Sequence, residues 1–474
     1  MDKKLARIYD SARDQERTQV REFIEDIKAG IANHFLLNLF APKGFGKTAF
    51  LRLIWKDYER ILPASLVRVG DFCGENDEAC ALSGLLIQII RDLCDRLPSR
   101  IVNLPSGYES LTNEEHLAEL IRGLGLSAQE FEKVTLLLLD DYDLMPEAQT
   151  RWFQKNILSP LARTRKTAII LTSEAELRFT ESLDLRMRLK SRELTSLNPE
   201  AIARALPGYG ERIADEIYLI TGGLPVLTQE FIKQLQASQV ATAADFQAQA
   251  QELVRKYYQT HVEREVLASL APDIRETLLV LALLRRFDVR VLKGILPKLL
   301  PDSYQDYGTA DYLGLVSRLQ SWVQWRRQGG YTLNPAFGMM LQGYVLTEEP
   351  NLYKKVNRAA VALYDEWLEE EYRGHYLIEL LYHKLALYRL EKGHDLFSRL
   401  GIQDEMSQAK VSNQLLEYLT GNGGRCIQEA DLDALRNSLH QDPDLKIYIS
   451  EDVDRAIQGL INQRIKEAQK ENSK

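Results

Sequence analysis

Between residues 15 and 32 the apolar positions Val20, Phe23, Ile24, Ile27 and Ile31 recur at three- and four-residue spacing, the stripe of an amphipathic helix. A short apolar run follows at 35–40, broken only by Asn38, and stops at a glycine-bearing loop. Beyond the loop, residues 49–55 are good helix formers, so the order is strand, loop, helix. Further apolar runs of strand length lie at 66–69, 134–139 and 168–171, separated by stretches long enough for crossover helices. Short, fully apolar strands spaced by helices predict a buried parallel sheet covered on both faces, a three-layer α/β core over residues 1–197.

The pattern then changes. Leu197-Asn198-Pro199-Glu200 has the form of a helix start, with Asn198 as N-cap and Pro199 at the first helical position, and it opens a helical lid over 198–255. Residues 256–347 combine a helical stripe (Ile274, Leu278, Leu281, Ala282, Leu283) with two alternating segments, 322–325 and 331–333. Between those segments lies Arg326-Arg327-Gln328-Gly329-Gly330, whose paired glycines signal a hairpin; helices followed by one hairpin predict a winged helix. Residues 348–474 are helical in pattern through Val356, Ala360, Leu363 and Trp367, with a polar tail from 466 to 474 expected to fray. The expected fold is therefore multidomain: an α/β core with parallel sheet, helical lid, winged helix, and a C-terminal all-α region that senses a signal or binds a partner.

Composition adds limits. A chain of 474 residues exceeds what one hydrophobic core organises. Its formal net charge of -8 excludes coating nucleic acid by bulk electrostatics, though not a local basic face. No uncharged apolar run reaches the ~20 residues that spanning a bilayer needs, and the first residues carry no signal-peptide core, so a cytoplasmic protein without membrane association is expected. Cys73, Cys80, Cys94 and Cys426 show neither CxxC spacing nor adjacent histidines; that excludes a structural zinc site and leaves them as reduced thiols.

The chemistry concentrates in Ala41-Pro42-Lys43-Gly44-Phe45-Gly46-Lys47-Thr48, followed by Ala49. The pattern GxxxxGK[ST] works because glycines let successive N–H groups turn inward around phosphates, the helix N-terminus adds partial positive charge, and a lysine reaches the β/γ oxygens. Gly44, Gly46, Lys47 and Thr48 are all present, with Thr48 expected to place its hydroxyl on Mg²⁺; Ala41 replaces the first glycine, which is tolerated where φ is negative. A second signal is the apolar strand ending in Asp140-Asp141-Tyr142-Asp143. A carboxylate at the tip of a buried strand holds Mg²⁺ through water and a neighbour orients the attacking water, roles that fall to Asp140 and Asp141 with Asp143 spare. The alternative is that these acids only cap the helix near Pro146.

These motifs, in this order, resemble the STAND NTPases, the signal-transduction ATPases that include the NB-ARC and NACHT groups and are related to AAA+ proteins. The resemblance covers about residues 8–345. Arg13-Asp14-Gln15-Glu16 resembles the Arg-x-x-Glu element, which implies a place for Arg13 near the adenine side of ATP or ADP. Ile169-Ile170-Leu171-Thr172-Ser173 is similar to the strand that ends in a polar sensor, implying Thr172 or Ser173 near the γ-phosphate. Gly222-Gly223-Leu224-Pro225 matches the Gly-x-Pro element of the lid and implies that Pro225 packs on adenine; a plain helix connection would suit the same residues. Two positions depart. Asn334 stands where a histidine often contacts nucleotide, and an amide supplies no positive charge. Glu174 stands where many relatives carry an arginine; Arg163, Arg165, Arg178, Arg186 and Arg188 remain open as replacements.

The resemblance implies a switch that binds nucleotide firmly and hydrolyses it slowly: aspartate reaches less far than glutamate, and the expected arginine is missing. ADP would hold core, lid and winged helix closed until a stimulus lets ATP replace it and protomers assemble. With only 34 residues ahead of the first apolar run, output is expected through a protein effector or sensor partner, or through a nucleotide-dependent homo-oligomer, in a bacterial defence or regulatory system. The competing reading is a DNA-associated ATPase of initiator or transposition-regulator type, in which Trp322, Trp325, Arg326 and Arg327 would meet nucleic acid at the wing.

Overall fold

The computed structural model describes residues 13–73, 82–95, 114–130, 133–206, 211–240, 243–326, 330–370 and 374–391, with isolated positions between 455 and 466. The chain divides into two compact units, one of residues 1–218 with 223–233, the other of 219–222 with 234–474.

The first unit opens with α1 (Asp14–Ala29), which buries Val20, Phe23, Ile24 and Ile27. Gly30 ends it in the left-handed conformation, with the Ile31 N–H returning to the Asp26 carbonyl. Ile31, grouped with the helical stripe by its spacing, therefore lies past the cap and is 70% exposed. Then come β1 (Leu36–Phe40), α2 (Lys47–Tyr58), β2 (Ala64–Arg68), α3 (Leu82–Cys94), α4 (Glu114–Glu130), β3 (Thr135–Asp140), α5 (Glu147–Phe153), α6 (Ser159–Arg163), β4 (Thr167–Ser173), α7 (Leu183–Arg188) and β5 (Leu189–Glu193). A π-helical turn, Gln154–Leu158, joins α5 to α6.

All neighbouring strands are parallel, in the order β2-β3-β4-β1-β5. Every residue of β3 and β4 is buried, as a parallel sheet between helical layers requires. The edge strand β5 left no apolar run to read, because Leu189-Lys190-Ser191-Arg192-Glu193 is half exposed and carries the charges that protect a sheet edge. Because β4 lies between β1 and β3, the carboxyl ends of these three strands open side by side. That is the end of a parallel sheet where ligand sites form.

The helices after the sheet are α8 (Pro199–Ala205), α9 (Glu211–Thr221) and α10 (Pro225–Ala237). Asn198 caps α8, its side-chain oxygen accepting from Ala201 N–H at 2.8 Å, with Pro199 in the first turn. Between α9 and α10 both Gly222 and Gly223 have positive φ. A Cβ on Gly222 would stand 1.9 Å from the Ala336 carbonyl oxygen of the second unit, to which Gly222 also belongs. A Cβ on Gly223 would stand 2.2 Å from the Leu197 oxygen, inside the first unit.

In the second unit α11 (Ala243–Tyr257) continues through π-helical turns to Val266. It is followed by α12 (Pro272–Leu281), α13 (Val289–Leu299), α14 (Thr309–Arg318), β6 (Val323–Arg326) and β7 (Gly330–Leu333). The hairpin pairs Val323 with Leu333 and Arg326 with Gly330, and Phe287 adds a bridge to Tyr331. Helix, short strand, two helices and a hairpin make a winged helix, whose turn residues Arg327, Gln328 and Gly329 lie outside the described residues. Three helices complete the unit: α15 (Pro335–Glu348), α16 (Pro350–Glu370) and α17 (Gly374–Glu391).

Polar groups join α17 to the rest of this unit. Arg285 forms a two-pronged ion pair with Glu379, both side chains nearly inaccessible to water. His383 Nδ1 meets Asn357 Oδ1 at 2.8 Å, Gln342 donates to the Tyr382 hydroxyl at 2.6 Å, and Arg290 Nη1 donates to the Tyr376 hydroxyl at 3.0 Å. Complete burial pushes the His383 pKa down to about 3, and the Arg285 charge adds to that shift.

The cysteine reading needs a correction. Cys73 is disulfide-bonded. Cys94 is free, and Cys80 and Cys426 lie outside the described residues. Cysteine spacing along the chain bears on metal binding, whereas a disulfide requires only that two chain segments come close. Residues 467–474 of the polar tail also lie outside the described residues.

Candidate nucleotide site

The loop from Ala41 to Gly46 connects β1 to α2 at the carboxyl end of the sheet. Gly44 and Gly46 have φ of 94° and 78°, values a side chain would strain. Ala41 is not among the residues with positive φ, so an alanine fits, and its N–H is tied to the Ser173 carbonyl at 3.2 Å. Ala41, Pro42 and Phe45 are buried, Lys43 is exposed, and Thr48 and Ala49 are half-buried in the first turn of α2.

Lys47 is 7% exposed, and its Nζ donates to the carbonyls of Ala41 at 2.7 Å and Pro42 at 3.3 Å. Burial lowers its pKa from the usual 10.5, while Glu174, Asp143, Asp141 and Asp140 pull it back up. The charged ammonium carries a penalty in the folded protein that is present below the lowered pKa and relieved as pH rises. A bound polyphosphate favours the charged form. Nucleotide affinity should therefore fall as pH rises through the lowered pKa, with up to one proton taken up per nucleotide bound. Titration calorimetry in two buffers of different ionisation heat checks this; an uptake of zero throughout that range would count against Lys47 as the phosphate ligand.

The acidic end of β3 is built around Thr172. Its hydroxyl donates to Asp140 Oδ1 at 2.6 Å and accepts from Asp141 N–H at 2.9 Å. The other Asp140 oxygen, Oδ2, is buried without a hydrogen-bond partner. Such an atom suits a hydrated cation, and the Thr48 hydroxyl at the start of α2 is an oxygen ligand of the right kind. Among the described residues no three His, Cys, Asp or Glu side chains group to hold a metal by themselves, so Mg²⁺ would have to share its ligands with nucleotide oxygens. Asp143 accepts from the Glu174 N–H at 2.8 Å.

Asp141 takes the left-handed conformation (φ 54°, ψ 44°), uncommon without a glycine. Its Oδ2 accepts from Arg68 Nε at 2.9 Å. Arg68 ends β2, in register opposite Asp140, and also faces Asp71 at 3.8 Å. No sequence motif marks Arg68; the pair joins residues 73 positions apart through strand pairing. Asn38 was missed too: its amide donates to Ser173 Oγ and its oxygen accepts from Leu177 N–H, tying β1 to the segment after β4.

Pro225 is buried at the start of α10, where the Val226 N–H points to the Gly44 carbonyl at 3.5 Å. Thus Val226, one residue past the Gly-Gly-Leu-Pro segment, reaches the loop within the first unit. Arg13 is 1% exposed and donates to the Phe45 carbonyl of the loop at 3.0 Å. Of the arginines left open, Arg163 and Arg188 share Asp184, whose carboxyl they hold below its usual pKa, chiefly through the hydrogen bond from Arg188. Arg165, Arg178 and Arg186 are exposed. Asn334 has another occupation: its side-chain oxygen caps α15, accepting from Ala336 and Phe337 N–H at 3.1 and 3.4 Å.

No protein-family model and no curated protein matches this chain. Among solved structures it is similar to a Walker-type ATPase of Pyrococcus abyssi, at 14% identity and a TM-score of 0.51, over 70% of this chain and 95% of that one. Weaker likenesses are to Cdc6p from Pyrobaculum aerophilum, at 16% identity and a TM-score of 0.36 over 73% and 94% of the two chains, and to the Aeropyrum pernix ORC1 protein in complex with DNA, at 14% identity and a TM-score of 0.30 over 71% and 92%. At those scores neither bears on what this chain does. The first likeness establishes that this chain shares its fold with a Walker-type ATPase.

Proposed function

We propose that the chain is a slow, Mg²⁺-dependent ATPase that works as a switch between ADP- and ATP-bound states. The carrying observation is that the buried lysine of the loop lies within electrostatic reach of a carboxylate with an unpartnered buried oxygen and of a second carboxylate held by an arginine. Lys47 and the N–H groups of the loop would bind phosphate oxygens, and Thr48 with Asp140 would hold Mg²⁺, which neutralises phosphate charge when bound. Asp141 would orient the attacking water. While Arg68 occupies its Oδ2, that oxygen is a weaker acceptor for the water, which accounts for slow turnover. Arg68→Ala should raise single-turnover hydrolysis severalfold with ATP affinity little changed, and Asp141→Asn should suppress turnover in both backgrounds. Equal rates with and without Arg68 would remove the restraint from this account.

Two outputs suit such a switch, and one observation favours DNA association. On the winged-helix hairpin Trp325 is 66% exposed, its ring edge-on to Tyr331 at 5.1 Å, beside Arg326 and Arg327 in the chain. An exposed tryptophan next to two bases suits nucleic acid better than a packed core. STAND-type signalling through a partner or by assembly rests on motif order alone. Binding to duplex DNA that weakens steeply with salt, with lower affinity and a shallower salt dependence when Arg326 and Arg327 are neutralised, supports the first output. Nucleotide-dependent assembly without DNA affinity supports the second.

A further inference from the structure

The family resemblance places Arg13 beside the base, but the hydrogen bonds of its side chain lead elsewhere. Nη2 donates to the Phe45 carbonyl at 3.0 Å, Nη1 to Glu16 Oε1 at 2.6 Å, and Nε is buried without an acceptor. Glu16 is itself held by the Thr195 hydroxyl at 3.2 Å. A guanidinium that is 1% exposed and tied at both ends of its fork has no freedom to swing toward a ligand. It holds one atom of the phosphate loop.

We propose that Arg13 is a positioning residue for the phosphate cradle: by pinning the Phe45 carbonyl it turns the Gly46 N–H toward the phosphates. In a trans peptide the carbonyl and the following N–H point in opposite directions, so fixing one oxygen on Arg13 aims the Gly46 N–H away from Arg13. Among the described residues that N–H donates to no backbone acceptor, as a ligand donor should not. The clamp is needed because Gly44 and Gly46, with φ of 94° and 78°, leave the intervening peptide planes free to turn over. An arginine from α1's N-terminal side, braced through Glu16 on the segment after β5, selects one orientation. This assignment rests on the nucleotide-binding reading and deepens it.

The test separates phosphate from base. Calorimetric titration of the full chain with inorganic pyrophosphate and with ADP measures the cradle; saturation-transfer NMR with adenosine measures the base site. In Arg13→Ala, pyrophosphate and ADP affinities should both fall roughly tenfold, the value of one well-placed donor, while adenosine binding is unchanged. Arg13→Met with Glu16→Gln preserves buried volume without stranding a carboxylate, and it should give the same split if the alanine variant fails to fold. Adenosine binding that weakens as much as ADP binding, or pyrophosphate affinity that survives in a folded variant, would overturn the assignment. A wild-type chain that binds neither ADP nor pyrophosphate would overturn the nucleotide reading itself.

Discussion

Lys47→Ala is expected to lower ATP and ADP affinity by roughly 30- to 150-fold, the value of about 2–3 kcal/mol for a charge-assisted contact to phosphate. The ammonium sits almost wholly inside the phosphate loop, satisfied by the carbonyls of Ala41 and Pro42. Phosphate oxygens offer it a charged partner in place of two neutral ones, so the gain on binding is large. The alanine variant should lose some stability, because the buried Ala41 and Pro42 give up the donor to their carbonyls, yet keep its fold. Fluorescent-nucleotide displacement, with circular dichroism as a control, measures both expectations. Wild-type affinity in a folded Lys47→Ala protein would remove the loop from its assigned role.

The second large effect concerns stability. Glu379→Ala should destabilise the second unit by up to about 3–5 kcal/mol, because it removes the carboxylate that holds two nitrogens of the buried Arg285 guanidinium. Replacing both residues by apolar ones of similar volume, Arg285→Met with Glu379→Leu, should restore most of the loss, because the penalty comes from the buried charge and not from the absence of attraction. Urea unfolding followed by tryptophan fluorescence checks the ordering. If the single variant proved as stable as wild type, water or another group would have to be compensating Arg285, and the pair would not fasten α17.

The glycine loop between β1 and α2 was legible in the sequence because its physics is local. Glycines at 44 and 46, a lysine at 47 and a threonine at 48 act through backbone conformation and helix start, both set by neighbouring residues. Strands β1, β3 and β4 could be found for a related reason, since burial on both faces favours near-continuous apolar runs. The edge strand β5 has one side in water and no such run. Arg68 was invisible because nothing near it in sequence distinguishes it from a solvated surface arginine; its meaning comes from β2 pairing with β3, which sets it opposite Asp140. Thr172 was found at the right strand end, yet its hydroxyl is engaged by Asp140 and Asp141, a detail that only the order of strands in the sheet supplies. Asn334, which stands where a histidine often contacts nucleotide, serves as a helix cap, a position that favours asparagine.

The diglycine between α9 and α10 also decides how the chain would behave when cut. Residues 219–222 belong to the second unit and 223–233 return to the first, so the backbone passes between the units three times within a short stretch. A protease that nicked the chain at Gly222-Gly223 would not free two pieces. The carboxyl-terminal fragment would still carry the start of α10, embedded in the first unit through Gly223 beneath Leu197 and Val226 beside Gly44. Such a nick should go unnoticed on a sizing column and be revealed only in denaturing gel.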